Sequence, residues 1–506
     1  MANGFASEEV LIMKRIRREN KPRIVSNDTI SILRSNSSVI EKVQRDAISL
    51  PTNQARKYGK RAVAQASAIL NQVGQVLPIL VSQDGTIIAG AEFFLAAIDL
   101  GWLHVNVIRI GELTEPERRA LTIAFNRISE LSAWDTGVLK SELSDLLKSN
   151  FDFDLGDLTG FNISELDVIL DPVDTMDVGD AHDILPKAPA DQEAVPQIGD
   201  IWILSRHRIA CGNAVDGALY RKLCANNTAT MLFTDPPYNI KIAGNASGLG
   251  KNKHSDFAMG IGEMSPQQFT EFLKTVLQLL CPCLSDGALA YIFMDRRKLA
   301  ELLAAATEAG LKIVDLCIWN KMSGGMGGIY RSQHEPCGVF KYGDASYLNN
   351  VQLGKYGRYR TNVWDHRGLS SFGKGRDDAL RDHPTVKPVA LLAEAIKDCT
   401  KRGDIILDPF AGSGSTLIAA QKTGRVCFGI ELEPKYVEVI IRRWETLTGE
   451  KAILESTGLT LSEMKAQRQM SVVDKELASS ESRSVVDQLS IPVVRRRKRP
   501  SALVKA

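Results

Sequence analysis

The protein has 506 residues, and a chain of this length is expected to fold as more than one domain. A hydrophobic fraction of 44% and a charged fraction of 24% are typical of globular proteins and exclude a fibrous or wholly disordered chain. The net charge of +2 hides an uneven distribution: residues 1–200 carry 20 basic and 29 acidic side chains, which leaves 42 basic and 31 acidic ones for residues 201–506. This asymmetry fits a polyanionic partner of the second part and fits equally well an acidic stretch beside an ordinary domain.

The sequence predicts neither a membrane protein nor a metal site. No apolar run reaches the roughly 18 residues that a membrane span needs, and the first residues lack the apolar core of a signal peptide. The eight cysteines are scattered and include no Cys-x-x-Cys pair. We therefore expect reduced thiols and neither a disulfide framework nor a zinc site.

A small domain is predicted over residues 60–135, after an N-terminal extension of residues 1–59. Asp84-Gly85 is a turn signal between two apolar runs, which are read as strands. A helical pattern follows the second run, and Thr114 with Glu117 forms a capping-box signature for another helix. The predicted elements are strands at 75–81 and 86–90, a helix from Ala91 to Gly101, a strand at 105–110 and a helix that begins after Thr114.

Residues 136–198 are predicted to be an acidic helical segment that ends in a linker. The stretch 135–200 holds 16 Asp or Glu side chains against three Lys, and prolines follow at 186, 189 and 196. So much like charge with so few apolar residues disfavours a compact fold for the later part of this segment.

Residues 199–450 alternate short apolar runs with helical patterns, which predicts an α/β domain with a doubly wound parallel sheet. Residues 451–506 form a tail that is basic at its end, where Arg495–Arg499 is more simply read as solvated than as a dedicated phosphate contact. The predicted strands are 229–235, 287–295, 311–319, 404–408 and 425–431, and the predicted helices lie near 266–284, 296–309, 388–400 and 434–446.

The first functional loop runs from Asp408 to Thr416, between a predicted strand and a helix. Its glycines, Gly412 and Gly414, let the backbone approach a ligand and direct helix N–H groups toward it. It lacks the Gly-Lys-Ser/Thr of a phosphate-binding loop. Glu431 ends the next predicted strand, where a carboxylate can accept both hydroxyls of a ribose. The loop and this acid predict a nucleoside-bearing cofactor, whereas either feature alone reads equally well as a tight turn with a surface Glu.

The second functional loop is Asp235-Pro236-Pro237-Tyr238, directly after the strand at 229–235. Two prolines end the strand and stiffen the turn, which holds the acid and the ring in defined positions. Asp235 and the carbonyl of Pro236 can accept N–H groups of an amine, and Tyr238 offers a face for a planar base. Standing alone, the tetrapeptide would read as a rigid turn, but beside a nucleoside pocket it predicts a catalytic site.

These two loops together resemble those of the amino-group DNA methyltransferases that use S-adenosylmethionine. The resemblance covers about residues 199–447, with the catalytic loop before the cofactor loop, which is the order of the permuted β group. It implies a Rossmann-like methyltransferase sheet. It also implies that Asp235, Pro236, Pro237 and Tyr238 form the catalytic motif. The implied cofactor contacts are Asp408, Phe410, Gly412, Ser413, Gly414, Thr416, Glu431, Asn213, His383, Thr385 and Lys387.

Asn213 departs from the pattern of the family, which has Asp at the position that contacts the cofactor adenine. An Asn side chain can still accept from that amine. His383-Pro384-Thr385-Val386-Lys387-Pro388 resembles the segment that closes the methionine end of the pocket. Asp in the catalytic motif favours adenine N6 as the target by resemblance, and cytosine N4 remains the alternative within catalysis.

Duplex DNA is the partner that this resemblance implies, and the target base must leave the helix to reach the site. Residues 244–262, rich in Gly, Asn and Ser, resemble a mobile lid. Sequence recognition is expected between about 320 and 382, where basic and aromatic side chains alternate. The predicted DNA contacts are Arg331, Lys355, Arg358, Arg360, Arg367, Lys374 and Arg376.

Residues 60–135 resemble the N-terminal domain of ParB-like proteins, which implies a smaller α+β domain in front of the methyltransferase. Gly90-Ala91-Glu92-Phe93 replaces the His-x-Arg of related chains, so nucleotide hydrolysis is not expected. The resemblance implies a cytoplasmic, bacterial or phage-encoded, nucleoid-associated protein that needs no metal and no membrane, and a homodimer is left open. The alternative of another class is a DNA-binding partition-type adaptor with a vestigial methyltransferase domain.

Overall fold

The computed structural model divides the chain into two compact units, Met1–Leu170 and Asp171–Ala506. The residues that it describes are 39–53, 56–111, 113–149, 155–170, 183, 185, 186, 188, 189, 194–240, 262–324, 329–351, 360–368 and 386–469.

The first unit contains a four-stranded mixed sheet in the order β1-β4-β2-β3. Strand β4 pairs antiparallel with β1 and parallel with β2, while β2 and β3 form an antiparallel hairpin around Asp84-Gly85. Strand β1 lies before residue 60, so the sheet of this unit begins within the segment that the sequence assigned to an extension. β1 alternates half-buried and exposed residues, but it contains few apolar ones, so its sequence does not indicate a strand. The strands are β1 (Ile40–Gln44), β2 (Ile79–Val81), β3 (Ile87–Ala89) and β4 (His104–Arg109).

Six helices complete the described part of the first unit. The predicted capping box is confirmed: the side chain of Glu117 accepts from the backbone N–H of Thr114 at 2.9 Å, where α3 begins. Helices α1 and α2 pack on the sheet through Leu70 and Phe94. The helices are α1 (Lys60–Val73), α2 (Ala91–Asp99), α3 (Glu115–Glu130), α4 (Thr136–Lys148), α5 (Leu155–Thr159) and α6 (Ile163–Leu170).

The front of the acidic segment is folded through a small core of its own. Leu143 on α4 and Leu166 and Leu170 on α6 are buried together. Asp135 caps α4 by accepting the backbone N–H groups of Gly137 and Val138, each at 3.0 Å. An acid at this position also suits the positive end of the helix dipole.

The second unit is built on a ten-stranded sheet in the order β11-β9-β10-β8-β7-β12-β13-β6-β5-β14. Its centre, from β8 through β7, β12 and β13 to β6, is parallel throughout. The prediction of an α/β sheet is therefore confirmed. The strands are β5 (Ile201–Leu204), β6 (His207–Cys211), β7 (Ala229–Thr234), β8 (Leu284–Phe293), β9 (Lys312–Asn320), β10 (His334–Lys341), β11 (Val363–Asp365), β12 (Ile405–Asp408), β13 (Val426–Glu431) and β14 (Ile453–Leu454).

The expectation of an all-parallel sheet is corrected at both flanks. Strand β10 runs antiparallel between β8 and β9, and β5 is antiparallel to both β6 and β14. Strands β5 and β6 are joined by Ser205 and Arg206 alone, which is too short for the crossover that parallel neighbours need. Sequence pattern alone does not fix a strand's direction.

Helices cover both faces of this sheet, and each face has its own buried cluster. One cluster includes Trp202, Phe233, Trp319 and Trp444, and the other includes Tyr220 and Phe269. Largely apolar and fully buried strands such as β13 fit a sheet that is covered on both sides. The helices are α7 (Gly217–Cys224), α8 (Pro266–Leu280), α9 (Leu299–Glu308), α10 (Val389–Cys399), α11 (Ser415–Lys422) and α12 (Pro434–Thr448).

The fold continues past residue 450, into the segment that the sequence assigned to a tail. Strand β14 pairs with β5, and Ala452, Leu454, Leu461 and Met464 are buried in the larger core. Arg468 donates to Asp200 at 2.9 Å, which ties this segment to the start of the second unit. Short apolar groups separated by polar residues give no periodic signal in the sequence.

Candidate active site

The two functional loops lie side by side because β7 and β12 are parallel neighbours. Parallel strands end at the same edge of the sheet, which is where open α/β sheets bind ligands. The hydroxyl of Thr234, the last residue of β7, donates to Oδ1 of Asp408, the last residue of β12, at 2.8 Å. Loops from distant parts of the sequence therefore meet at one site.

Asp235 and Tyr238 contact each other across the two prolines of the catalytic loop. The hydroxyl of Tyr238 is within hydrogen-bond distance of Oδ1 of Asp235 and lies 2.5 Å from Oε1 of Glu335. Its single proton is thus shared between two carboxylates. Pro236 is buried and Pro237 is half-buried. Neither proline has an N–H group that could compete for these acceptors.

Lys387 joins the same cluster from the segment that leads into α10. Its Nζ pairs with Oδ2 of Asp235 and with Oε1 of Glu335, which is 2.9 Å away. The side chains of Lys387 and Glu335 are 6% and 10% exposed, so the ion pairs are largely shielded from water. Lys321 pairs with the other oxygen of Glu335 at 2.6 Å. Two carboxylates and two ammonium groups balance one another in this cluster.

The charges of the cluster set its protonation states. Burial raises the pKa of Asp235 above its ordinary value, against the opposing effect of Lys387. Burial acts on Glu335 too, but Lys387 and Lys321 hold the pKa of its carboxyl at about 2. Burial disfavours the charged form of Lys387, yet the two carboxylates raise its pKa, so it stays an ammonium. Of the two acids, Glu335 is the more firmly ionised because it has two cations.

Glu431 and the glycines of the cofactor loop lie together at the end of β13. The backbone N–H of Gly412 donates to Oε2 of Glu431 at 2.8 Å, and that of Glu433 donates to Oε1 at 2.9 Å. Burial raises the pKa of Glu431 to about 7, although these two bonds favour the ionised form. Gly414 has φ +82°, a left-handed conformation that suits glycine, and it starts α11.

The other residues predicted for the cofactor loop hold its shape. Asp408 is buried, and burial raises its pKa to about 6 against hydrogen bonds from Thr416, Thr234 and the backbone of Phe410. The guanidinium of Arg443 donates to the carbonyl of Ser413 at 3.0 Å. These contacts fix the loop before any ligand binds.

Asn213 lies beside Glu431, as the predicted cofactor site requires. The N–H of Gly212 donates to the carbonyl of Glu431 at 2.9 Å, which places Asn213 at the same edge of the sheet. Its Oδ1 accepts from the backbone N–H of Val215 at 3.1 Å. An amide oxygen has two lone pairs, so one acceptor position remains for a ligand.

The predicted DNA contacts differ in their surroundings. Arg331 and Arg367 are exposed. Arg360 is not: its guanidinium pairs with Glu394, lies 3.1 Å from Asp398 and stacks over Trp364. We therefore exclude Arg360 from the proposed DNA contacts, because its charge is used within the second unit. The remaining predictions that lie outside the described residues are Lys355, Arg358, Lys374, Arg376, His383, Thr385 and all of the lid except Gly262.

Glu335 is the site residue that sequence reasoning missed. The sequence analysis assigns it no role, yet it contacts Tyr238, Lys387 and Lys321. The available signal was one acidic residue at the start of the otherwise apolar run Glu335–Phe340. A charged group that enters a central strand needs a partner, and Lys387 is that partner.

Among the described residues, no group of three or more His, Cys, Asp or Glu side chains is arranged to hold a metal ion. Within the same residues, no helix combines the length and apolar composition that crossing a bilayer requires.

The fold is that of an α/β domain in which the glycine-rich turn and Glu431 lie at the same sheet edge as the acidic cluster of Asp235 and Glu335. Residues 229–442 match the family described as DNA methylase, and residues 137–197 match the family described as ParB-methyltransferase HTH domain. The segment from Ala229 is therefore a DNA methylase domain of the amino-group class, whose targets are N6 of adenine and N4 of cytosine. S-adenosylmethionine is the methyl donor of this class.

Several curated methyltransferases are similar to this chain. Type II methyltransferase M2.DpnII of Streptococcus pneumoniae is 26% identical over 230 residues, which cover 42% of this chain and 82% of that protein. Type II methyltransferase M.HpaI of Haemophilus parainfluenzae is 25% identical over 253 residues, covering 47% and 74%. Among solved structures, the complex of M1.HpyAVI with S-adenosylmethionine is 20% identical, covers 47% of this chain and 98% of its own, and has a TM-score of 0.33.

The described residues of the cofactor loop fit S-adenosylmethionine. A carboxylate offers about four acceptor positions, and the N–H groups of Gly412 and Glu433 use one on each oxygen of Glu431. Acceptor capacity therefore remains for the two hydroxyls of a ribose. The free lone pair of Asn213 and the backbone of the glycine turn complete a cradle for a nucleoside.

Proposed function

We propose that this protein is a site-specific DNA methyltransferase that transfers a methyl group to the exocyclic N6 of adenine in duplex DNA. The observation that carries the proposal is the pairing of Asp235 with Tyr238 at the end of β7, beside the cofactor loop at the end of β12. An acid, two prolines and an aromatic ring are suited to holding a planar base by its amine.

In this mechanism Asp235 and the carbonyl of Pro236 accept the two N–H groups of the adenine amine. The lone pair of the amine then points away from both acceptors, toward the cofactor loop. Tyr238 stacks on the base and offsets part of the cost of flipping it out of the duplex, roughly a few kcal/mol. Fixing the amine in this way carries most of the catalysis, since correct orientation can supply about 7–11 kcal/mol.

Glu431 and Asn213 are proposed to bind the ribose and the adenine of the cofactor, with Gly412 and Gly414 allowing its close approach. S-adenosylmethionine supplies a methyl group on a positively charged sulfur, which becomes a neutral thioether when the methyl leaves. The carboxylate of Asp235 stabilises the positive charge that the amine nitrogen acquires until it releases a proton. Arg331 and Arg367 are proposed contacts to DNA outside the catalytic loop.

The test is methyl transfer from tritiated S-adenosylmethionine to mixed-sequence duplex DNA, followed by digestion to nucleosides and chromatography. We expect labelled N6-methyldeoxyadenosine from the wild type. Asp235→Ala should give no product while it still binds the cofactor with wild-type affinity. Label in N4-methyldeoxycytidine would replace adenine by cytosine as the target, and no label with any duplex would favour the DNA-binding adaptor.

A further inference from the structure

We infer that the ammonium of Lys387 occupies, in the free enzyme, the position at Asp235 that the target amine takes during the reaction, and that Glu335 holds Lys387 after the amine has displaced it. This inference rests on the proposed function, since it takes Asp235 as the acceptor of the substrate amine. Lys387 and Glu335 are then positioning residues that control the entry of the base, and Lys387 has a role other than the cofactor contact that the sequence predicts.

Both oxygens of Asp235 are engaged before any substrate arrives. Tyr238 contacts Oδ1 and Lys387 contacts Oδ2. An ammonium and an exocyclic amine are both N–H donors of similar size, so they compete for the same carboxylate oxygen. Each oxygen of Asp235 keeps a second lone pair, but the buried ammonium occupies the space beside Oδ2, so an amine that takes this position displaces Lys387.

Aromatic rings enclose the ammonium that has to move. Its Nζ lies 4.8 Å from the ring centre of Phe293, 5.7 Å from that of Tyr238 and 5.9 Å from that of Trp319. Faces of this kind stabilise a cation in the free enzyme, and they are equally suited to a planar base. The space around Lys387 thus has the chemistry of a base pocket.

Glu335 provides the second position for the displaced ammonium. Its Oε1 already lies 2.9 Å from Nζ of Lys387, so the ammonium can leave Asp235 without becoming an unpaired buried charge. The move also removes a positive charge from the place where the amine nitrogen becomes positive. Lys321 neutralises the other oxygen of Glu335 at 2.6 Å and limits how strongly Glu335 retains Lys387.

The test compares Glu335→Gln, Lys387→Met, the double variant and a control lysine outside the cluster, Lys274→Met. Base entry is read from the fluorescence of 2-aminopurine placed next to the target adenine, which loses a stacking partner when the adenine leaves the duplex, and cofactor affinity is read from calorimetry. Glu335→Gln leaves Lys387 with Asp235 as its carboxylate partner within the described cluster. We expect its flipping signal and its methylation rate at saturating DNA to fall at least tenfold, with the cofactor Kd unchanged.

Two comparisons separate positioning from a purely structural role. Adding Lys387→Met to Glu335→Gln should restore the flipping signal to the level of Lys387→Met alone, because the competing ammonium is gone. Lys274→Met should keep the wild-type signal, since its ion pairs with Glu271 and Glu308 join α8 and α9 and do not involve the cluster.

Three results would overturn the inference: no restoration in the double variant, a wild-type signal for Glu335→Gln, or loss of cofactor binding by Lys387→Met. A wild type that methylates no DNA would instead overturn the proposed function.

Discussion

The buried ionisable residues at the ends of the strands differ in charge according to their partners. Glu335 has two cations and is firmly ionised, whereas the described donors to the side chain of Glu431 are backbone N–H groups, and its pKa is raised to about 7. These two carboxylates, on β10 and β13 of the same sheet, thus respond differently to pH. The difference in pKa allows a titration experiment to distinguish the proposed cofactor site from the proposed amine site.

Cofactor affinity is expected to fall as the pH falls below about 7. The ribose hydroxyls need the ionised form of Glu431, and its pKa in the free enzyme lies near 7, above the ordinary 4.5. Because folding raises the pKa of Glu431, the contribution of its protonated form to the free energy of unfolding is lost as the pH rises through 7. The ionised form, which binds the ligand, is populated over the same range. Calorimetry between pH 8.5 and 6.5 should show weaker binding and increasing proton release at the acidic end. Glu431→Gln should bind weakly at every pH, and an equally steep profile in this variant would contradict the assignment.

His207 is expected to limit stability in acid. Its Nδ1 accepts from the backbone N–H of Cys427 at 2.9 Å, its Nε2 lies 2.7 Å from Gln421, and burial lowers its pKa to about 4. A lowered pKa means that stability is fully present above 6.5 and is lost as the pH falls toward 4. The loss reaches about 3 kcal/mol at 1.36 kcal/mol per pKa unit. Urea unfolding from pH 7 to 4.5 should show this slope in the wild type and a shallower one in His207→Asn, and parallel slopes would contradict it.

For single residues, the sequence indicates which residues belong to the candidate site better than it indicates which residues they contact. Asp235, Tyr238, Gly412 and Glu431 are recognisable because motif and spacing restrict their positions. The contact between Lys387 and Asp235 is not recognisable, since the residues are far apart in the chain and their pairing depends on how β7 meets the segment before α10. Long-range electrostatic pairs of this kind require the fold.

The cofactor loop, as an element, depends on the left-handed conformation at the start of α11. Gly414 has φ +82°, and a Cβ there would lie 2.9 Å from Cγ1 of Ile440 on α12. Gly449 ends α12 with φ +75° and nothing within 4 Å of the same position. An alanine at either position would be strained by the left-handed φ, but only at Gly414 would its Cβ contact a neighbour. Gly449 is therefore a matched control for Gly414.

Gly414→Ala is expected to lose about 1–2 kcal/mol of stability from backbone strain and further stability from the contact with Ile440. It should also lose most of its affinity for the cofactor, because the loop must shift away from α12. Gly449→Ala should lose a comparable amount from strain and keep wild-type cofactor affinity. Denaturant unfolding and calorimetry measure both quantities, and equal effects on binding would mean that the turn geometry does not matter.

The sequence predicts many helices and strands of the second unit near their observed positions, but it predicts their arrangement in the sheet only in part. The predicted apolar runs correspond to β7, β8, β12 and β13, which are largely buried, and to β9, whose first five residues are exposed. Strands β1, β5, β6, β10, β11 and β14 were not predicted. Of these, β1, β11 and β14 lie at sheet edges, where pairing depends on the sheet that they join more than on their own residues.

The whole molecule separates its charges along the chain. Residues 137–197, which match a helix-turn-helix family, carry 14 acidic and three basic side chains. A helix-turn-helix segment with this charge is repelled by phosphates, so we expect the DNA affinity of the protein to come from the basic part after residue 200.

Changing Asp171, Asp174, Asp177 and Asp180 together to Asn should therefore tighten DNA binding at low salt, by roughly threefold, as like-charge repulsion is removed. The difference should vanish in high salt, where screening is complete over about 3 Å at 1 M. Fluorescence anisotropy with labelled duplex at several salt concentrations makes the comparison. Weaker binding by the variant would show that these carboxylates hold a partner or the protein's own structure.

The position of β12 and β13 has a consequence for use of the protein as a tool. This pair of strands inserts between β7 and β6, and it arrives late in the chain. A polypeptide divided between Gly368 and Val386 would leave Asp235 and Glu335 on one fragment and Lys387, Asp408 and Glu431 on the other. Neither fragment would contain the complete site, and the first would lack the strands β12 and β13 from the middle of its sheet. With the proposed activity, methylation of DNA would then report that the two fragments had associated.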